Sequence, residues 1–275
     1  ESLGNPAGNI VDLERLADVA HAHGVPVIVD NTVPSPYLCQ PFKWGCDIVT
    51  HSLTKYISGH GTVIGGAIVD SGKFPWAEHK ERFPRLNTPD VSYHGVVYTE
   101  ALGEAAYIGR ARVVPLRNMG AAIAPMTSFL VLQGLETLPL RMDRICENAL
   151  AVAKYLEGHS ATEWVRYAAL DSSPDKARAD KYLGGRASGV LSFGIKGGAA
   201  AGAKFIDALG LITRLVNIGD AKSLATHPAS TTHRQLTPEE LATSGVSEDL
   251  VRLSIGIEHI DDIIADVEQA LAAAK

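Results

Sequence analysis

A lysine in Val49-Thr50-His51-Ser52-Leu53-Thr54-Lys55-Tyr56 stands 25 positions after the aspartate that closes Val27-Ile28-Val29-Asp30. The β-branched run Val27-Ile28-Val29, bounded by Gly24 and Pro26, predicts a short buried strand. Asp30 then lies at its carboxyl end, where open α/β sheets bind ligands. Lys55 follows the next predicted strand on the same side. An amine and a carboxylate so placed suit pyridoxal 5'-phosphate (PLP): the amine condenses with the cofactor aldehyde, and the carboxylate keeps the pyridine nitrogen protonated. The ring then acts as an electron sink. Thr32, Ser52 and Thr54 offer intervening hydroxyls to the phosphate. Taken singly, the same residues have plainer readings: Lys55 as a solvated loop residue, Asp30 as a turn or strand-end cap, Ser52 and Thr54 as turn caps.

These residues imply opposite demands on two ionisable groups. Lys55 is useful in proton transfer only if part of its amine is unprotonated. Asp30 must stay ionised to hold the pyridinium proton through a charge-assisted hydrogen bond.

With these motifs in hand, the chain resembles the Cys/Met-metabolism family of PLP-dependent enzymes (fold type I, aspartate-aminotransferase-like) along its whole length. Ser52-Leu53-Thr54-Lys55-Tyr56-Ile57-Ser58-Gly59-His60-Gly61 is similar to that family's lysine segment, and Val251-Arg252-Leu253-Ser254-Ile255-Gly256-Ile257-Glu258 to its carboxylate-binding strand. The branch it most resembles is that of the O-acetylhomoserine sulfhydrylases. That likeness rests on Pro89-Asp90-Val91-Ser92-Tyr93-His94-Gly95, on Asn217-Ile218-Gly219-Asp220, and on His227-Pro228-Ala229-Ser230-Thr231-Thr232-His233. The γ-lyases of the family usually have serine where Asn217 stands.

The resemblance implies that residues 1–138 are the C-terminal part of a large α/β PLP-binding domain with a mostly parallel sheet, and that 139–275 form a smaller C-terminal α+β domain. It implies γ-replacement, converting O-acetylhomoserine and sulfide to homocysteine and acetate. Its rivals are cystathionine γ-synthase or γ-lyase, methionine γ-lyase, O-succinylhomoserine sulfhydrylase and, from another class, a non-catalytic portion that only dimerises. Arg252 would grip the substrate α-carboxylate with its planar fork, and strand alternation puts Arg252 and Ser254 on one face. Asn217, otherwise a turn former, would give that carboxylate a second hydrogen bond. Asn5 would bond the phenolic oxygen of the ring, and Glu1 would lie near the substrate. A cytoplasmic homotetramer built from dimers is implied.

The resemblance also implies a stretch ahead of Glu1 that carries a phosphate-binding arm, a Gly-rich loop and an aromatic ring stacked on the cofactor. Residues 1–275 alone are therefore expected to be inactive: either a separate chain supplies the rest of the phosphate cradle, or the chain is a processed fragment, or PLP is not bound in the usual way.

Composition is ordinary for a soluble α/β protein. The 275 residues are 46% hydrophobic and 20% charged, enough for a substantial core. A net charge of -6 disfavours nucleic-acid binding, which needs a basic surface. No apolar run of roughly 18 residues is present to span a bilayer. Cys39, Cys46 and Cys146 form no CxxC pair and read as buried thiols. The pairs His21 with His23 and His51 with His60 lack the partners of a zinc site, so no metal is expected.

The elements that must position the site follow from periodicity. Leu13, Leu16, Ala17 and Ala20 predict a helix capped by Asn9 and stopped by Gly24. Strands are expected at 27–30, 48–51 and 67–69. Residues 71–120 form a long connection in which Arg110, Arg112 and Arg117 read as solvated or interface arginines, with substrate binding as the rarer alternative. Met142, Ile145, Ala149, Val152 and Leu156 mark the first long helix of the second domain. Residues 171–187 read as an exposed loop, 190–195 and 251–255 as strands, 200–209 as a helix. A final helix carries Ile260, Ile264, Val267 and Leu271 on one face.

Overall fold

A computed structural model of the protein describes residues 1–231 and 246–275. Thr232 and His233, at the end of one of the sequence motifs, lie outside the described residues.

Helix α1 (Leu13–Ala22) buries Leu13 and Ala17. Its cap is Asp12, whose carboxylate accepts from the Arg15 N–H at 3.3 Å, and not Asn9 as periodicity suggested. The reason is local: Ile10 pairs with Leu3 in an isolated bridge, which keeps the chain extended past Asn9. Gly24 ends the helix with a φ of 64°, in the left-handed region that glycine enters without strain.

Three strands follow: β1 (Ile28–Asp30), β2 (Ile48–Ser52) and β3 (Gly66–Asp70). They form a sheet in the order β1-β2-β3, so β2 is central. The β1–β2 pair is parallel, with Asp30 opposite Thr50. The β2–β3 pair is antiparallel, with Ser52 opposite Gly66. The parallel register brings the ends of β1 and β2 together and so sets Asp30 beside the start of the Lys55 turn.

Residues 71–120 fold into short helical pieces around a small separate core of Ile48, Phe74, Trp76, Leu86, Tyr98 and Ala106. Arg110 is held within this segment, 3.7 Å from the Asp90 carboxylate and 5.9 Å from the Tyr98 ring centre. Helix α2 (Pro125–Glu136) leads into α3 (Leu138–Glu157), which buries Met142, Ile145, Ala149, Val152 and Leu156 on one face.

A second sheet contains β4 (Thr162–Arg166), β5 (Val190–Ile195), β6 (Thr213–Arg214), β7 (Leu224–Thr226) and β8 (Leu250–Ser254), in the order β4-β5-β8-β7-β6. Between β4 and β5, the segment expected to be an exposed loop contains helix α4 (Lys176–Leu183). Its buried face is only Ala179, Tyr182 and Leu183, too small a stripe to stand out among six charged neighbours over residues 171–181. Helices α5 (Gly198–Ala208) and α6 (Ile260–Ala273) complete the fold. One hydrophobic core runs from Val29 and Tyr56 through α3 to Phe193, Leu253 and Val267. The three cysteines are buried free thiols. No helix among the described residues is long and apolar enough to cross a membrane.

Candidate active site

Lys55 sits in a turn that leaves the end of β2. Its N–H donates to the Ser52 carbonyl at 3.3 Å, and its carbonyl accepts from the Gly59 N–H at 2.8 Å. The turn is gripped by the second half of the chain. Tyr56 is fully buried and its phenol accepts from the Gly189 N–H at 3.2 Å, with burial pushing its pKa up to about 12. Arg141, from the first turn of α3, donates to the carbonyls of Tyr56 at 2.8 Å and Ile57 at 3.3 Å. Gly219 packs from another side. A Cβ there would lie 2.6 Å from the Tyr56 nitrogen, and φ is 76°, so both space and conformation require glycine.

The Lys55 ammonium donates to Oδ1 of Asn217. The Asn217 carbonyl accepts from Nη2 of Arg252 at 3.1 Å, and Nη1 of Arg252 points to Oδ1 of Asn5 at 3.4 Å. The Asn5 N–H donates to the Glu1 carboxylate at 3.0 Å. Five residues separated by up to 251 positions thus form one continuous set of contacts. Among the described residues, Arg252 Nε is buried without a hydrogen-bond partner, so one donor of its guanidinium is unspent.

Electrostatics match the placement. Burial lowers the Lys55 pKa, and the Arg252 charge lowers it further, so the amine loses its proton more readily than an ordinary lysine. Arg252 itself is pushed down by burial but stays a cation.

At the sheet end, an Asp30 carboxylate oxygen accepts from the Thr32 N–H at 2.9 Å, and the Thr32 hydroxyl accepts from the Ser52 N–H at 2.8 Å. These bonds fix Asp30 relative to the turn. The Thr54 hydroxyl donates to the Gly65 carbonyl at 3.4 Å and accepts from its N–H at 3.1 Å, which ties it to its own loop. Among the described residues no protein group bonds the Ser52 hydroxyl, so Ser52 is the readier anion donor of the two.

Two residues near the site carried no local sequence signal. His51 is buried on β2 with Nδ1 lacking a hydrogen-bond partner. Burial lowers its pKa, opposed by the charge of Asp30. Arg141 was the other, since the carbonyls it holds in the Lys55 turn lie 84 and 85 positions away.

This arrangement is that of a fold type I PLP-dependent enzyme, and the chain belongs to the Cys/Met metabolism PLP-dependent enzyme family, whose sequence profile it matches over residues 1–272. It is 54% identical to the homocysteine synthase of Schizosaccharomyces pombe, over all of this chain and 64% of that protein. It is 51% identical to O-acetyl-L-homoserine sulfhydrylase 1 of Thermus thermophilus, over 99% of this chain and 64% of that protein. A crystal structure of a putative O-acetylhomoserine (thiol)-lyase from Campylobacter jejuni superposes with a TM-score of 0.93 at 42% identity, over 98% of this chain and 64% of that one. That protein carries a pyridoxyl-lysine phosphate. The chain therefore spans about 64% of the length of these relatives.

Proposed function

We propose that this chain forms the larger part of an O-acetylhomoserine sulfhydrylase, which converts O-acetylhomoserine and sulfide to homocysteine and acetate. The observation that carries the reading is the contact of Lys55 with Asn217, directly joined to Arg252 with its unpartnered buried Nε. An amine of lowered pKa next to a carboxylate-sized fork is what an amino-acid substrate requires. The names of the similar proteins from Schizosaccharomyces pombe and Thermus thermophilus support the substrate.

The residues present fit PLP. Lys55 would hold it through its amine, Asp30 would face the ring nitrogen, and Ser52 with Thr54 would donate to the phosphate once Thr54 turns from Gly65. Thr32 would hold Asp30 in place, and Asn5 would reach the ring oxygen. When bound, PLP supplies an electron sink that lets protons leave carbons next to the amino group. Arg252 orients the substrate by two parallel bonds to its carboxylate, while the Asn217 amide N–H adds a third. Lys55 Nζ takes the proton from Cα and later returns one, and its lowered pKa keeps the amine available as a base. Glu1 lies on the Asn5 side of this pocket. We place residues 1–138 in the large domain and 139–275 in the smaller one, and read the assembly as a cytoplasmic homotetramer.

The test is borohydride reduction of the intact protein loaded with PLP, peptide mapping, and assay of homocysteine formation. Label on Lys55 and turnover of O-acetylhomoserine with sulfide are expected. Label on another lysine would remove the site assignment, whereas label on Lys55 with turnover only of O-succinylhomoserine or cystathionine would change the substrate alone.

A further inference from the structure

We propose that Arg141 is the positioning residue for Lys55: by holding the main-chain carbonyls that follow the lysine, it sets where the lysine amine stands. The inference rests on the reading that Lys55 is the reactive lysine.

Arg141 is 5% exposed, yet none of its bonds goes to a carboxylate. Nη1 donates to the Tyr56 carbonyl at 2.8 Å. Nη2 donates to the carbonyls of Ile57 at 3.3 Å and Gly134 at 2.6 Å. Nε donates to the Thr137 hydroxyl at 3.1 Å. The Asp220 charge favours the buried guanidinium, but hydrogen bonds that go only to neutral acceptors leave its burial unfavourable compared with an apolar side chain of the same size. What it gains here is directional: a planar fork fixes two successive peptide groups at once, which a point charge or a methyl group does not.

The peptides it fixes are those immediately after Lys55. A Cβ on Gly59 would lie 2.1 Å from Arg141 Nη1, so the turn is wrapped around the guanidinium. A Cβ on Gly134 would lie 2.2 Å from the Ser58 carbonyl, so α2 presses on the same turn. Gly219 closes on the Lys55–Tyr56 peptide itself. The turn is thus contacted by both Arg141 and Gly219, and the lysine side chain reaches Asn217.

The charge of Asp220, from the loop before β7, acts on Arg141, that of Arg252, from β8, acts on Lys55, and that of Asp30, at the end of β1, acts on His51 in the strand before the turn. Burial lowers the Lys55 pKa first and Arg252 second, and both effects depend on where the amine stands. A turn released from Arg141 therefore carries Lys55 away from Asn217 and Arg252, and its amine titrates closer to an ordinary lysine. Misplacement of about 1 Å at a reacting group costs on the order of a hundredfold in rate.

The experiment follows the amine itself. The intact protein is freed of cofactor and labelled with acetic anhydride across a pH series, and acetylation of Lys55 is read by mass spectrometry against the other lysines. Circular dichroism checks the fold of each variant. In Arg141→Ala the Lys55 midpoint should move up, and added guanidinium ion should bring it back. Arg141→Lys and Thr137→Val should shift it in the same direction by less. Should Arg141→Ala not fold, the latter two decide. A wild-type Lys55 profile in every folded variant overturns the proposal, whereas borohydride label on a lysine other than Lys55 in the wild-type protein overturns the reading beneath it.

Discussion

Replacing Arg252 by lysine keeps a cation but removes the fork. In the structure three N–H directions of Arg252 matter: Nη2 on the Asn217 carbonyl at 3.1 Å, Nη1 toward Asn5 at 3.4 Å, and buried Nε with no partner. An ammonium reaches one carboxylate oxygen in line, so one of two parallel charge-assisted bonds is lost. Hydrogen bonds to charged groups are worth about 1.5–3 kcal/mol. Taking about 2 kcal/mol predicts a rise in KM of roughly 30-fold for the amino-acid substrate. PLP content should hold, because Arg252 does not bond Lys55 directly. Steady-state kinetics with O-acetylhomoserine, beside the absorbance of bound cofactor, measure both. Arg252→Ala separates charge from shape: of the two Arg252 variants only this one should raise the Lys55 pKa, since the Arg252 charge is the second cause of its depression. An unchanged KM in Arg252→Lys, or a fall in kcat with KM constant, would refute the carboxylate grip.

Lys55→Ala should leave the fold intact, because the side chain is only partly buried, and should abolish homocysteine formation. Gly219→Ala should lower the melting temperature, with a loss of roughly 1–3 kcal/mol from the left-handed φ and the clash with Tyr56. Gly95→Ala, also at positive φ but with nothing within 4 Å of its Cβ, is the control and should cost less. His51→Gln should flatten the acid limb of stability. The His51 pKa lies below 6.5 in the folded protein, so as pH falls through that value the unfolded chain takes the proton first and the folded form loses stability until its own lower pKa is passed. Melting curves between about pH 7 and pH 5 check this, and an equal fall in wild type and variant would show that His51 is not responsible.

Much of the candidate site was legible as a set of neighbours because its members carry their own chemistry in local motifs. Val27-Ile28-Val29 announced a strand, observed at Ile28–Asp30, with Asp30 at its end. Arg252 lay in an alternating strand, and the structure pairs it with Ser192 on the neighbouring β5. The supports were not legible. Arg141 and Gly219 act through the backbone of a turn 85 and 163 positions away from them, and nothing in their own neighbours records that contact. The Asn9 cap failed for a related reason: a bridge between Leu3 and Ile10 delayed the helix, and pairing across a loop outweighed local capping preference.

Among the described residues strand β3 has a partner on one side only, and Ile68 and Val69 on it are 48% and 43% exposed. Its sequence, Gly66-Ala67-Ile68-Val69-Asp70, holds no proline or lysine, and its one charge stands at the end. Such a rim of open N–H and C=O groups is a template on which another extended segment can lie down. At high concentration such an edge favours self-association through main-chain pairing. A charge introduced at Ile68 would act as a gatekeeper against that aggregation, without touching any residue of the Lys55 turn.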